Sequence, residues 1–201
     1  QFTPVGAATR YRWKQSRRTP FALVEGAENG LGNFIVQTSP GYEVNTTEAA
    51  ASGTHSFHLA HVNPPADQVL TLNRTVQAGP SSQLLFSSRI GSATANQIAR
   101  AQISTDGGRT WQEVWSQAGN GNSERSFTRR MISLAPFSGA EVQVRFLYEF
   151  TSGSFFPFQP QVGFYFDDVS ITDAEELVDA IETEVPAGTS FIFRPTAAGN
   201  Y

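Results

Sequence analysis

One stretch of alternating residues around a glycine turn constrains the fold of this chain more than any other feature. Residues 98–115 read IARAQISTDGGRTWQEVW, in which Ala99, Ala101 and Ile103 fall on one face of the first half. The segment Asp106-Gly107-Gly108 interrupts the alternation. Because glycine adopts positive φ at little steric cost, the chain can reverse there. The pattern therefore predicts a β-hairpin.

The tip of this predicted hairpin resembles an Asp-box, whose pattern is SxDxGxTW. Five residues match it: Ser104, Asp106, Gly108, Thr110 and Trp111. In such a motif the serine and aspartate side chains hydrogen-bond the backbone of the turn, and the tryptophan packs beneath it. Sialidase-type propellers repeat the motif once per blade, whereas this chain contains one copy. We therefore interpret the motif as a self-stabilised hairpin tip.

Alternation of the same kind recurs along the chain, most clearly at residues 140–150. Beside the hairpin, strands are expected at residues 21–26, 34–37, 54–62, 68–76, 83–89, 126–134, 140–150 and 163–172. Turn signals separate about ten strands, and the first expected helical turn lies at residues 173–180. The sequence thus predicts an all-β fold, an antiparallel β-sandwich of the jelly-roll kind. Six residues should lie in or beside its core: Val142, Val144, Phe146, Trp111, Val169 and Ile171.

The two ends of the chain differ from its middle. Residues 1–19 are interpreted as an N-terminal arm, 20–172 as the sandwich, and 173–201 as a linker and the start of a following strand segment. The strand-like segment 189–201 ends without a turn signal, and the chain begins at Gln1, as it would after removal of a signal peptide or after proteolysis. We expect the domain to belong to a longer secreted or cell-surface polypeptide.

Composition excludes several classes of function. The chain contains no cysteine, which removes disulfides, thiol nucleophiles and cysteine-based zinc sites. Its net charge of −4 provides no electrostatic footprint for nucleic acid. No run approaches the roughly 18 apolar residues of a membrane span. Sequence patterns of nucleotide-binding loops, zinc proteases and serine hydrolases do not occur.

Three histidines, His55, His58 and His61, lie in one predicted strand. The alternation of a strand sends His58 to the opposite face from the other two. His55 and His61 would lie about 20 Å apart along an extended strand, which is too far to share a metal ion. We interpret all three as packed or exposed strand residues.

Several segments, in consistent order, carry a resemblance to a known family. They are residues 21–34, which open with FALVEG, residues 52–59 (SGTHSFHL), residues 101–111 (AQISTDGGRTW), and residues 142–148 followed by 163–171 (GFYFDDVSI). Together they resemble MAM-like and carbohydrate-binding, concanavalin-like jelly rolls over about residues 20–172. The resemblance implies an accessory module of a secreted bacterial protein. The MAM cysteines are missing, and the loop 151–162 is longer and more aromatic than the family pattern.

Three acids, Glu25, Asp167 and Asp168, are the candidate metal ligands. The first and last strands of a jelly roll are neighbours, so these residues can converge although they are distant in sequence. Hard oxygen ligands suit Ca²⁺, and a buried carboxylate needs a cation to offset its desolvation. The resemblance implies a structural calcium ion here. The alternative is that one aspartate caps backbone groups or pairs with an arginine such as Arg145.

An aromatic loop supplies the candidate ligand-binding residues. Residues 152–160 read SGSFFPFQP, so Phe155, Phe156 and Phe158 stand among turn-forming residues, and Tyr148 is assigned to the same surface. Exposed aromatic rings would form a platform for sugar rings or for another protein. The alternative is that the phenylalanines fold back as a lid on the core.

These features favour a non-catalytic binding or adhesion module that recognises carbohydrate or a neighbouring protein domain. Two alternatives stay open. A structural subunit of an extracellular surface layer or filament would self-assemble through terminal segments that complete a neighbour's sheet. A glycan hydrolase or lyase on the same sandwich would carry paired acids on its concave face, and their spacing is set in space and not along the sequence.

Overall fold

Antiparallel strands account for nearly all of the regular structure. The computed structural model describes residues 9–186, of which Lys14, Asp179 and Ala180 are described by their backbone alone. Within this range the strands are β1 (Arg10–Pro20), β2 (Val24–Glu25), β3 (Phe34–Gln37), β4 (Asn45–Thr46), β5 (Ser56–Leu59), β6 (Gln68–Leu72), β7 (Val76–Ile90), β8 (Gln97–Ser104), β9 (Gln112–Ala118), β10 (Thr128–Ser133), β11 (Glu141–Phe150) and β12 (Phe164–Pro186). A short 3-10 helix spans Ala135–Phe137. In the described range, no helix has the length and apolar character needed to cross a membrane.

The strands form two layers. Over the described residues, one layer has the order β3-β6-β11-β8-β9, and we call it the five-stranded layer. The other, the β12 layer, is built around β12, which pairs with β7 along one edge and with β5, β2 and β1 in succession along the other. Strand β10 extends it beyond β7, and β4 extends it beyond β5. A short pairing between β7 and β11 joins the layers into one continuous antiparallel sheet.

Aromatic side chains from both layers meet in the core. Phe146 of β11 stacks on Phe166 of β12 with ring centroids 4.2 Å apart, and it meets Phe86 of β7 edge-on at 5.1 Å. Phe34 of β3 meets Phe57 of β5 edge-on at 4.8 Å. These contacts between layers confirm the predicted antiparallel β-sandwich. Five predicted core residues are at most 3% exposed: Val142, Val144, Phe146, Val169 and Ile171.

The sixth predicted core residue, Trp111, lies outside the core. The hairpin of β8 and β9 forms, but its register shifts between Ala101 and Gln102. Trp115 therefore packs against the core. Trp111 lies half-buried beneath the Arg145 guanidinium, which is 4.4 Å from the ring centroid. The prediction for Trp111 was wrong because a β-bulge breaks the alternation of the strand, and a period-two pattern does not reveal a bulge.

Two boundaries in the β12 layer also differ from prediction. Gly79-Pro80 predicted a turn, yet β7 is one strand, because residues 79–82 bulge out opposite Asp173 and the ladder resumes after them. Residues 173–180 were expected to form a helical turn or two. They continue β12 instead, since their backbone pairs with β7 and then with β1.

The N-terminal segment pairs with the end of β12. Strand β1 runs antiparallel to residues 175–186, and its arginines face glutamates across this ribbon: Arg10 with Glu184 at 3.3 Å and Arg18 with Glu175 at 3.4 Å. Exposed pairs of this kind contribute about 0–1 kcal/mol each. The division of the chain into arm, sandwich and following segment stays a prediction. The strand expected at 189–201 lies outside the described residues.

Candidate functional site

The aromatic loop between β11 and β12 is fixed to the sandwich by a buried amide side chain. Gln97 is 0% exposed; its side-chain oxygen accepts a hydrogen bond from the Phe156 amide at 2.9 Å, and its nitrogen donates to the Phe156 carbonyl at 3.0 Å. The same nitrogen lies 3.0 Å from His61 Nδ1. The Thr94 hydroxyl donates to the Ser154 carbonyl at 3.0 Å. A satisfied buried network of this kind holds the loop in one conformation.

The three phenylalanines of this loop have different surroundings. Phe155 packs at one end of the sandwich against Phe150, 5.3 Å away between ring centroids, and near His61 at 6.5 Å. Phe155 and Phe156 are both partly buried, so they cover the end of the core as a lid would. Phe158 is 50% exposed, and no other aromatic side chain in residues 9–186 is as exposed.

Phe158 stands on two other rings. Tyr42 meets it edge-on, with centroids 5.4 Å apart and planes at 85°, and His58 lies 5.7 Å away. The Phe158 amide donates to the His61 carbonyl at 2.7 Å, and the Tyr42 hydroxyl donates to the His58 carbonyl at 3.0 Å. We call Phe158, Tyr42 and His58 the aromatic platform. Packing and backbone hydrogen bonds fix the orientation of its exposed ring.

Tyr148 is not part of this surface. Its side chain is 0% exposed and stacks on His61 with centroids 4.4 Å apart. Among the described residues its hydroxyl finds no hydrogen-bond partner, and burial raises the pKa of that hydroxyl. A ring enclosed in the core cannot touch a ligand at the surface. The assignment of Tyr148 to the ligand surface is therefore corrected.

A row of stacked side chains runs inward from the platform. His58 stacks on Tyr165 with centroids 4.1 Å apart and planes 6° apart. The Arg89 guanidinium lies over the Tyr165 ring, 5.3 Å from its centroid. The Tyr165 hydroxyl donates to the Glu48 carboxylate at 2.7 Å. The row thus connects Phe158, through His58 and Tyr165, to Arg89.

The histidines serve as packing residues in the described structure. His58 Nε2 lies 2.6 Å from the Val162 carbonyl, and His61 Nε2 lies 3.1 Å from the Tyr148 carbonyl. His58 is 2% exposed and His61 is 0% exposed, and burial lowers the pKa of both imidazoles. His55 lies near the surface, where its Nδ1 is 3.1 Å from the Glu28 carboxylate.

The three candidate metal ligands come from two adjacent strands. Strand β2 pairs with β12 so that Glu25 lies opposite Val169, the residue after Asp168. Glu25 is 5% exposed, Asp167 is 0% exposed and Asp168 is partly buried. The Asn33 side-chain amide donates to Glu25 Oε1 at 2.5 Å. The topology therefore brings the first and last parts of the sandwich together at these acids.

Backbone amides hold the Asp167 carboxylate. Its Oδ2 accepts hydrogen bonds from Ala51 at 2.7 Å and from Ser52 at 3.2 Å, and its Oδ1 accepts one from the Asp168 amide at 2.7 Å. Burial raises the pKa of Asp167 in spite of these bonds. A Cβ at Gly26 would lie 3.2 Å from Asp167 Oδ1, so the glycine leaves room beside that oxygen.

Carboxylate oxygens are ligands of hard cations, and Glu25 and Asp167 lie on adjacent strands. Among the described residues, however, no group of three histidine, aspartate or glutamate side chains is placed to hold a metal ion. A calcium ion beside Glu25 and Asp167 would need main-chain or water oxygens to complete its ligands. Arg145, the alternative partner, instead lies over Trp111 and donates to Gln102 at 2.7 Å.

At the hairpin tip, the Asp106 carboxylate organises the turn. It accepts hydrogen bonds from the Thr110 hydroxyl at 2.7 Å, the Thr110 amide at 2.9 Å and the Ser104 hydroxyl at 2.8 Å. These bonds lower the pKa of Asp106 to about 2, and the bond from the Thr110 hydroxyl has the largest effect. The Gly108 amide donates to Ser104 Oγ at 2.8 Å, and Trp111 Nε1 donates to the Gly108 carbonyl at 3.1 Å. The polar groups of the motif thus bond one another within the turn.

A cleft on the outer face of the β12 layer was not predicted from the sequence. Its volume is about 510 Å³, and its lining includes three arginines, Arg89, Arg125 and Arg129. The basic run around residues 125–130 was a signal for it in the sequence. These residues lie near Arg89 because β10 pairs with β7, and the spacing of residues in the sequence does not reveal that pairing.

Comparison with known proteins shows the fold and no more. No family model and no curated protein sequence matches the chain. Among solved structures, the K3 cleaved adhesin domain of Lys-gingipain from Porphyromonas gingivalis w83 is 16% identical, with a TM-score of 0.52 over 76% of this chain and 98% of that chain. The K2 cleaved adhesin domain of Lys-gingipain is 12% identical, with a TM-score of 0.53 over 75% of this chain and 97% of that one. A family 16 carbohydrate binding module is 16% identical over 74% of this chain and 96% of that one, at a TM-score of 0.48.

Proposed function

We propose that this chain is a non-catalytic binding module that recognises carbohydrate through the aromatic platform. The observation that carries this proposal is the exposure of Phe158, which presents half of its surface to solvent while Tyr42 and His58 support it from behind. Aromatic rings expose an apolar face of defined geometry, and the C–H face of a sugar ring packs on such a face.

The rigidity of the loop supports a binding role. A surface that is already ordered loses less conformational entropy when a ligand binds. Here Gln97 holds the backbone of Phe156 on both sides, and the Phe158 amide is bonded to β-sandwich backbone at His61. Gln159 follows Phe158 in the sequence and is exposed, and Gln161 donates to Glu48 at 2.7 Å. Such groups would bond sugar hydroxyls.

The wider setting agrees with this proposal. Two domains of Lys-gingipain that share the fold are described as adhesin domains, and a sandwich of this kind suits a module of a secreted or cell-surface protein. The filament alternative rested on terminal segments without a partner. Over the described residues β1 pairs with the end of β12, which removes that argument for residues 10–20 and 175–186.

A calcium ion at Glu25 and Asp167, with Asp168 nearby, forms the second part of the proposal. Both carboxylates are buried, and the hydrogen bonds to Asp167 come from neutral backbone amides, so a cation would offset their desolvation. Its role would be structural: it would tie β2 to β12, which pair here over two residues of β2.

The binding proposal is tested by glycan-array screening followed by calorimetry on the best oligosaccharide. Phe158→Ala should weaken binding by about ten-fold or more, and Phe158→Trp should keep it, because the aromatic face is the recognised feature. Met131→Ala is a matched control, since Met131 is 62% exposed on β10. If wild type and Phe158→Ala bind the oligosaccharide with equal affinity, the aromatic platform is not the binding site. If the protein turns over the glycan, and a folded variant with one acid replaced does not, the function is that of a hydrolase or lyase and not of a binding module.

A further inference from the structure

The cleft on the outer face of the β12 layer carries the strongest unassigned feature of the molecule. Its lining comes from β7, from the start of β10 and the segment before it, and from the small side chains of residues 49–51. The volume of about 510 Å³ lies in the range typical of small-molecule sites, roughly 300–1,000 Å³. The cleft is therefore large enough for part of an oligosaccharide.

Its arginines keep their charge uncompensated. Among the described residues, the Arg125 and Arg129 guanidiniums form no hydrogen bond or ion pair, and both side chains are exposed. Arg89 donates to the main-chain oxygen of Glu124 at 2.9 Å and to the side-chain amide oxygen of Gln161, which are neutral acceptors. In the other layer, by contrast, Arg100 is paired with two glutamates, Glu113 and Glu149.

One acid, Asp168, also lines the cleft. Its Oδ1 accepts a hydrogen bond from the Ser52 hydroxyl at 2.5 Å, and its Oδ2 lies 3.5 Å from the Ser87 hydroxyl. Three guanidiniums against one carboxylate leave the lining positive. The whole chain has a net charge of −4, so this positive charge is a local feature and does not follow from composition.

We infer that this cleft binds the anionic groups, carboxylate or sulfate, of an acidic polysaccharide. Guanidinium groups bond such oxyanions in a bidentate way. The Ser87 and Ser126 hydroxyls and the partly buried Phe127 ring add groups that suit the rest of a sugar unit. This inference rests on the proposed carbohydrate-binding function and names its substrate class.

The cleft and the aromatic platform are connected. Arg89 lines the cleft and lies over Tyr165, which stacks on His58, which in turn contacts Phe158. The two surfaces thus share one packed row of side chains on the same layer. We expect an acidic chain that uses both surfaces to place a neutral sugar on Phe158 and a charged group in the cleft.

The experiment measures affinity by calorimetry for three oligosaccharide classes: polygalacturonate, heparin and neutral xylo-oligosaccharides, each at low and at physiological ionic strength. The variants are the double substitution Arg125→Gln with Arg129→Gln, the single Arg109→Gln, and Phe158→Ala. Arg109 is a matched control, because it is an exposed arginine at the hairpin tip, remote in sequence from the cleft. All of these side chains are exposed, so the variants should fold.

We expect an acidic oligosaccharide to bind more tightly than the neutral one, with an affinity that falls as salt rises. The double variant should weaken acidic binding by about ten-fold or more and leave neutral binding unchanged, and Arg109→Gln should change neither. Polygalacturonate carries carboxylates and no sulfate, so its binding shows that carboxylate is sufficient. Heparin carries both groups, so binding of heparin alone shows that sulfate is required.

Three results would overturn the inference. If Arg109→Gln weakens acidic binding as much as the double variant, the effect is one of net charge and not of this cleft. If neutral and acidic glycans bind equally, and only Phe158→Ala weakens them, the cleft inference fails while the proposed function stands. Absence of binding to every glycan class would overturn the proposed function and this inference with it.

Discussion

The His58 imidazole lies parallel to the Tyr165 ring, with centroids 4.1 Å and planes 6° apart. The two residues are register partners on β5 and β12. Because Nε2 faces the Val162 carbonyl at 2.6 Å, the neutral ring donates its proton there. Burial lowers the pKa of His58, the Arg89 charge adds to this effect, and the Val162 bond and the Glu48 charge oppose it.

Stability should therefore fall in mild acid. The folded state disfavours protonated His58 and His61, so below about pH 6.5 the unfolded state binds more protons, and stability is lost as the pH drops. Each histidine can remove at most about 1.4 kcal/mol per pH unit. Urea denaturation at pH 7.5 and 5.5 measures the loss, and His58→Gln should make it shallower. Equal stability at both pH values would refute this prediction.

The contact between layers at Phe146 should dominate mutational effects on stability. Phe146 is 0% exposed and contacts both Phe86 and Phe166. Replacing it with alanine should cost about 3–5 kcal/mol, from lost burial and the cavity left behind. Met131→Ala on the surface should change the free energy of unfolding by no more than about 0.5 kcal/mol. Denaturant titration of both variants makes the comparison, and similar values would argue against this core.

Calcium should stabilise the folded chain if it binds at Glu25 and Asp167. Free Ca²⁺ at 100 times its dissociation constant would add about 2.7 kcal/mol, which corresponds to a rise in Tm of roughly 5–10 °C for a domain of this size. Asp167→Asn should abolish the response to added Ca²⁺ and to EDTA. The control is Asp106→Asn, at the hairpin tip, which should leave the response intact. An identical melting curve of wild type in EDTA and in Ca²⁺ would exclude this site.

The hairpin tip gives a prediction for NMR. Hydrogen bonds from Thr110 and Ser104 lower the pKa of Asp106 to about 2, so its carboxylate should titrate near that pH. Because the pKa is lowered, these hydrogen bonds stabilise the folded state fully above the ordinary pKa of an aspartate. That stabilisation is lost as the pH falls through about 2. Thr110→Val should raise the Asp106 midpoint toward its ordinary value of about 3.9, and Gln112→Ala, on exposed β9, should not. An unshifted midpoint in wild type would contradict the observed bonding.

Gln97 should control the order of the aromatic loop. Its amide bonds both backbone groups of Phe156, so Gln97→Ala would leave buried groups unpaired at a cost of about 1–3 kcal/mol. Hydrogen exchange at Phe156 and Phe158 should accelerate, and glycan affinity should fall with it, because the platform would lose its preorganisation. Gln117→Ala serves as a control for loss of a glutamine on β9. Unchanged exchange in the loop would show that Gln97 does not hold it.

Alternation alone determined much of the fold. It predicted the hairpin of β8 and β9, the buried face of β11, and a sandwich in which Val142, Val144 and Phe146 are enclosed. A strand side chain points to one face or the other according to its parity, and burial of one face fixes the register. Local information of this kind is present in any sequence that specifies strands.

The alternation of residues could not predict the bulges in the strand pairing. The bulge at Ala101 and Gln102 moved Trp111 out of the core, and the bulge opposite Asp173 carried β7 past Gly79-Pro80 without a turn. The partner strand determines whether a glycine ends a strand or bulges out of it. That partner is distant in sequence, so the local pattern could not distinguish the two outcomes.

The site depended most on the tertiary structure. The sequence placed Phe155, Phe156 and Phe158 in one loop, but the exposure of Phe158 and the burial of Tyr148 follow from how that loop packs over His61 and Tyr42. The arginine cleft needs β7, β10 and the loop before β5 to meet in space. Burial and charge density are properties of neighbours in three dimensions. The order of residues fixes which strands form, and only their pairing decides which side chains face solvent together.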